Sequence, residues 1–186
     1  MTHIVMETKR LFIGIDPGLD GGYVALDESG NIVSGMANPR QYEKGPADLG
    51  KIMDWFELLD LGLYNRVVIF LEDVHPLPGV SSKSTWTFSE NKGQIEAILY
   101  FLGRQYPNVA YQQINPKLWQ KTVWQFHDRV EKAGKLDTKK TSLNCAKRLW
   151  PGADLRKSDK CKTWHDGMVD AALIAESCRR TFLGKA

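Results

Sequence analysis

The 186-residue sequence is poor in cysteine. Cys145, Cys161 and Cys178 are an odd number, widely spaced and without a CxxC pair. That excludes a disulfide framework and suits reduced thiols in a cytosol-like compartment. Cys161 and His165 would need two more ligands at a recognised spacing to hold zinc, and the chain supplies none. No run of eighteen apolar residues is present, so no membrane-spanning helix is expected. The opening stretch MTHIVMETKRLFIGID leads into a strand instead of a signal-peptide core. Internal repeats and low-complexity tracts are lacking too. What is left is a soluble protein, expected in the cytoplasm with an organelle still open. Residues 1–186 read as one domain, long enough to bury a core without staples.

The formal charge of +3 hides an uneven distribution. Residues 1–115 hold 9 Lys/Arg against 14 Asp/Glu, whereas residues 116–162 hold 13 against 5. The basic residues of this segment include Lys117, Lys121, Lys139, Lys140, Lys147 and Arg148, followed by Arg156, Lys157, Lys160 and Lys162. They are mixed with Trp119, Trp124, Phe126 and Trp150. Cations interleaved with flat rings suit a phosphate backbone and unstacked bases. A solvated basic face over core tryptophans accounts for the same pattern equally well.

Hydrophobic periodicity divides the chain into alternating elements. RLFIGID, GGYVALD and NIVSGMA are short β-rich runs with tight turns between them, an antiparallel meander. Leu49, Ile52, Met53, Phe56 and Leu59 recur at helical spacing behind Pro46, predicting a helix over 46–61. RVVIFLEDV is apolar enough on both faces to be a central strand. The loop HPLPGVSSKS reads as a mobile surface element before a helix from about Thr85 to Leu102. NVAYQQI is a fifth strand, and PKLWQKTVW opens a helix with Pro116 in its first turn. Residues 126–137 read as a linker or loosely held arm. Asp137 caps a helix from Thr138 to Trp150 that Pro151-Gly152 stops. The order describes an α/β domain with a mixed sheet.

The last helix, within WHDGMVDAALIA, carries Asp166 and Asp170 four positions apart and therefore on one side. The same stripe continues through Leu173, Ile174 and Ser177, so the pair sits at the edge of a face that wants burial. A buried carboxylate is costly unless a cation compensates it. Asp16 ends the first strand and Glu72 the fourth, and in an open sheet those strands can be neighbours. Four carboxylates converging there would repel one another unless divalent metal neutralised them. Oxygen-only ligands favour Mg²⁺ or Mn²⁺, and a pair of such ions about 4 Å apart suits phosphoryl displacement. Each acid also has an ordinary reading: Asp16 as a turn residue before Pro17-Gly18, Glu72 as a strand-end charge, Asp166 as a helix cap.

In order along the chain, FIGIDPGLDGGYVAL, VVIFLEDVHP, STWTFSENKGQIEAIL, INPKLWQK, DTKKTSLNCAKRLWP and HDGMVDAALIAE resemble the RuvC-like Holliday junction resolvases. The phage and organelle branch is the nearer likeness, and it spans Leu11 to Arg180. The resemblance implies an RNase H-like mixed β-sheet flanked by helices, a homodimer, and symmetric Mg²⁺- or Mn²⁺-dependent nicking of four-way DNA junctions, with two ions per active site. By position it implies Asp16, Glu72 and Asp170 as metal ligands. Many members place an acid three residues before the last Asp, where this chain has Gly167; Asp166 takes that role, with His165 as the fallback. The resemblance also puts Lys139 and Lys140 near the scissile phosphate, and residues 84–102 in a dimer helix where Gly93 allows close approach. Lys83 and Trp86, in the stretch Ser81 to Trp86, are placed to reach the opened junction, Trp86 by stacking; a core role for Trp86 and Phe88 stays open.

Other readings share parts of this pattern. GIDPGLDGG also resembles the phosphate-holding loop of actin-like ATPases and sugar kinases, which are normally much longer. An RNase H-type nuclease acting on RNA/DNA hybrids, a broader branched-DNA nuclease, and a non-catalytic junction-binding protein complete the set.

Overall fold

A computed structural model describes residues 9–43, 45–75, 79 and 81–184. Strands β1 (Arg10–Asp16), β2 (Gly22–Leu26) and β3 (Ile32–Ala37) form the expected antiparallel meander. Helix α1 (Leu49–Leu58) follows, capped by the Asp48 side chain, and then β4 (Arg66–Glu72). Helix α2 (Ser82–Gln105), β5 (Val109–Ile114), α3 (Pro116–Val123), α4 (Thr138–Leu149) and α5 (Asp166–Phe182) complete the main elements. The five strands make one mixed sheet in the order β3-β2-β1-β4-β5, with β1 parallel to β4 and β4 parallel to β5. The first and fourth strands are indeed neighbours.

The sheet's period of two sorts the core into two layers. On β1, Leu11, Ile13 and Ile15 face α1 and α2, as do Val67, Ile69 and Leu71 on β4. Phe12, Val68 and Phe70 face the layer of α3, α4 and α5. Asp16 and Glu72 continue the second set by parity. Because Ile15 pairs with Leu71, the next residues, Asp16 and Glu72, end adjacent parallel strands side by side. Carboxyl ends of parallel strands are where α/β sheets usually build their sites.

Helix α5 is buried nearly all round, between the sheet and α3 and α4. Two glycines let its backbone touch the sheet's. A Cβ on Gly14 would overlap the Ala171 carbonyl oxygen, and one on Gly167 would overlap the Asp20 carbonyl oxygen. Only hydrogen fits at either point. The close approach brings Asp170 over the end of β1. It also explains why no acid stands three residues before Asp170: the turn occupies the space that any side chain would need.

Three readings differ from the sequence expectation. Helix α1 spans Leu49–Leu58 instead of 46–61, because the Asp48 side chain caps it two residues after Pro46 and a separate 3₁₀ turn (Leu61–Leu63) follows its end. Helix α2 starts at Ser82 rather than near Thr85, because the Ser81 hydroxyl accepts from the Ser84 N–H and caps it inside the stretch read as loop. Of that loop, residues 76–78 and 80 lie outside the described residues. Residues 126–137 are no loose arm. They hold a 3₁₀ turn (Phe126–Asp128) and a hairpin of β6 (Glu131–Lys132) and β7 (Lys135–Leu136), with Ala133 and Gly134 both at positive φ in its turn. Among the described residues no helix is long and apolar enough to cross a membrane.

Candidate metal and nucleic-acid site

An open cleft of about 550 Å³ lies where β1, the β1–β2 turn and the amino end of α5 meet. Asp16, Asp20, Lys139, Lys157, His165, Asp166 and Asp170 are on its walls. Glu72 is deeper, 9% exposed, and beyond the wall itself. Asp16 accepts from the Gly18 N–H at 2.9 Å, so the turn reading and the site reading hold together: the bond aims the carboxylate. Glu72 accepts from the indole N–H of fully buried Trp119 at 2.8 Å. Asp170 keeps one oxygen, Oδ1, buried without any hydrogen-bond partner.

The electrostatics follow from three acids and little positive charge. Burial raises the Asp16 pKa, against the Gly18 N–H; Asp20 adds to the rise and Lys139 opposes it. Glu72 is pushed up to about 8, by burial first and then by Asp16, with Trp119 opposing and Asp170 adding. Asp170 is pushed up to about 7, again by burial first; the Ser142 hydroxyl on α4 lowers it, and Asp16 and Asp166 raise it. The three carboxyl groups thus feel one another from β1, β4 and α5. They are not drawn into a single shell: among the described residues no three His, Cys, Asp or Glu side chains form a ready-made metal cluster.

Their chemistry nevertheless fits a divalent cation. The donors are all carboxylate oxygens, one of them orphaned and buried, and each acid resists ionisation until positive charge arrives. Asp166 sits one turn above Asp170 at the rim, its side chain 58% exposed, and accepts from the Lys139 ammonium at 2.9 Å. His165 takes the N-cap position of α5 with its Nδ1 buried and unpartnered. Burial, then Lys157, lowers its pKa and favours the neutral ring.

The nucleic-acid candidates divide. Lys139 lines the cleft; Lys140, by contrast, is exposed outside it, 4.0 Å from Asp137. Lys83, Lys117, Lys121 and Lys147 are on the surface. Trp86 is 71% exposed, which removes its core reading, while Phe88 is half-buried. Arg148 is a correction. Its guanidinium makes two bonds, 2.9 and 2.7 Å, to buried Asp128 and a third to the Val123 carbonyl, so it serves the interior and not a phosphate. Trp119 likewise belongs to the core, and the Trp150 indole is committed to the Gly30 carbonyl. The sequence reading missed Trp119 as the partner of Glu72 and Trp164 as a wall of the cleft. Both carry the ordinary signature of apolar helix or loop residues, so only their contacts distinguish them.

No family model matches the chain, and no curated protein matches it in sequence. Solved structures do resemble it. Thermus thermophilus RuvC in complex with Holliday junction substrate superposes with a TM-score of 0.58 at 14% identity, over 95% of this chain and 98% of that one. A second Thermus thermophilus RuvC structure gives 0.55 at 16% identity with the same coverage. The likeness runs through the whole sheet and its helices and leaves neither chain with a large unmatched part. The chain has a RuvC-like fold, an RNase H-like mixed five-stranded sheet flanked by helices.

Proposed function

We propose that this protein is a structure-selective endonuclease that resolves four-way DNA junctions by paired, divalent-metal-dependent nicks. The observation that carries the reading is that Asp16 and Glu72 end adjacent strands of a RuvC-like sheet, with Asp170 on α5 within electrostatic reach of both, each held against ionisation and one with an orphaned oxygen. That the superposed Thermus RuvC holds a Holliday junction substrate supports the choice of DNA.

Asp16, Glu72 and Asp170 would hold the ions, with Asp166 as the fourth group. Mg²⁺ or Mn²⁺ bound there, two per site, would supply water activation and charge neutralisation for phosphodiester hydrolysis. The chain's own groups do the positioning. The Trp119 indole fixes Glu72, the Gly18 N–H fixes Asp16, and Lys139, parked on Asp166 at the rim, offers its ammonium to charge developing on the phosphate. Two nicks call for two copies. On α2 the exposed residues Trp86, Gly93, Ala97, Tyr100 and Phe101 recur at helical spacing as the homodimer face.

The test incubates the purified protein with synthetic four-way junctions, RNA/DNA hybrids and linear duplex, in Mg²⁺ or EDTA. Paired nicks on the junction alone, lost in EDTA, are expected. Cleavage of hybrids instead makes it an RNase H-type enzyme, binding without nicking makes it a junction-binding protein, and ATP hydrolysis without nicking supports a nucleotide-binding role.

A further inference from the structure

Phe126 is the most exposed large apolar side chain among the described residues, at 89%. An exposed Phe on a mobile loop would mean little. This one stands on a turn that the protein pins from below. Asp128, two residues on and with its side chain 2% exposed, accepts two guanidinium bonds from Arg148 and another from the Gln125 N–H at 2.8 Å. The Asn144 amide donates to the Asp128 carbonyl at 3.2 Å. Losing one side of a buried ion pair is among the costlier changes a fold can suffer, so the turn cannot fold Phe126 inward without abandoning its own anchor. The ring is held in water.

What surrounds it in the chain is positive. Lys117, Lys121, Arg129, Lys132 and Lys135 make no ion pair among the described residues, and against them stands the unpaired Glu131. The hairpin that carries Lys132 and Lys135 is also anchored. The Val130 N–H donates to the Thr141 hydroxyl at 3.1 Å, and the Asp137 N–H closes onto the Val130 carbonyl at 2.8 Å. Asp137 is the N-cap of α4, and two residues later Lys139 reaches the rim of the carboxylate cleft. An exposed ring and a set of unneutralised cations therefore stand on anchored backbone that leads, along the chain, to the edge of the site. Aromatic faces accept any base, and lysines along a strand follow its phosphates. A protein partner for the ring would not need the cations.

We propose that the Phe126 turn and the β6–β7 hairpin form a second DNA contact, in which Phe126 stacks on an unpaired base of the branched substrate and Lys132 and Lys135 hold phosphates of the same strand. This rests on the junction reading above and extends it to residues that reading did not use.

The variants are Phe126→Ala, Phe126→Trp and the double change Lys132→Glu, Lys135→Glu, all on solvent-exposed positions. Binding is measured in Ca²⁺ with a labelled four-way junction, and with a linear duplex of the same arm sequence, across a salt series. Phe126→Ala is expected to weaken junction binding roughly ten-fold or more, in line with the loss of one stacked base, to leave duplex binding alone and to be rescued by Phe126→Trp. The lysine variant is expected to flatten the plot of log affinity against log salt by about two for each protomer bound, roughly one per lost phosphate contact. Circular dichroism controls for folding. Equal loss on junction and duplex for Phe126→Ala, wild-type affinity and slope in both variants, or an altered oligomeric state with unaltered DNA binding each overturns the contact. If the unmodified protein shows no preference for the junction, the junction reading itself fails, a result distinct from these.

Discussion

Glu72→Gln removes a charge that folding forces into a place without a cation, and the consequence for stability can be worked through. Glu72 ionises near 4.5 when unconstrained and at about 8 in the folded protein, because it is buried and faces Asp16. The folded value lies above the unfolded one, so the folded protein holds its proton longer. The associated stability is fully present below about pH 4.5 and is lost as the pH rises through about 8. Every ten-fold change in proton affinity is worth about 1.4 kcal/mol, which makes the loss at pH 8 roughly 4 kcal/mol at most. Water entering from the open cleft and small movements of Asp16 reduce this to about 2 kcal/mol. Gln keeps an oxygen for the Trp119 indole and carries no charge. The metal-free variant should therefore melt above the unmodified protein at pH 8, by roughly 4–8 °C for a chain of this size. The gap should close toward pH 4.5. Scanning calorimetry in EDTA at the two pH values measures it. Adding Mg²⁺ should then raise the melting temperature of the unmodified protein much more than that of the variant. A variant less stable than the parent at pH 8, or a gap that does not depend on pH, would refute the claim that Glu72 is an uncompensated buried acid.

Asp16→Asn and Asp170→Asn should each lower junction cleavage by at least about a thousand-fold, the scale of losing a principal charge-stabilising group. Junction affinity should be kept or increased, because repulsion of phosphate falls; normal cleavage by Asp170→Asn would dismantle the site. Trp119→Phe keeps an aromatic ring of smaller volume and deletes the N–H to Glu72, and Mn²⁺ affinity measured by calorimetry should fall about ten-fold, as when other ligand-orienting partners are lost. Unchanged affinity would make Trp119 a core residue only. Gly14→Ala puts a methyl group where the Ala171 carbonyl stands and should cost at least roughly 2–3 kcal/mol in urea unfolding; a neutral result would mean that α5 does not rest on β1. Arg148→Ala strands Asp128 in the interior and should cost roughly 3–5 kcal/mol. It should leave the salt dependence of DNA binding as it was, which a phosphate-binding arginine would not.

Local patterns decided a good deal of this protein without tertiary help. The alternation in RLFIGID and RVVIFLE, the Asp137 cap on α4 and Pro116 at the head of α3 act through neighbours a few residues away, so strands and helices were legible in residue order. The candidate ligands Asp16, Glu72 and Asp170 were legible too, since a carboxylate at the end of an apolar run has to be compensated by something. Other features depended on pairs of residues far apart in the chain. Trp119 meets Glu72 across 47 positions and Arg148 meets Asp128 across 20, and nothing local in either partner announces the other. Counting Arg148 among the surface cations was the natural error of a charge tally, which is blind to burial. Gly167 is the plainest case. By itself it reads as an acid missing from a pattern; only the packing of α5 onto the Asp20–Gly21 turn shows that no side chain could stand there. Spacing along the chain sets which groups can lie on one face, while the distance between faces is set by how closely two backbones can approach, and that is a property of the folded core alone.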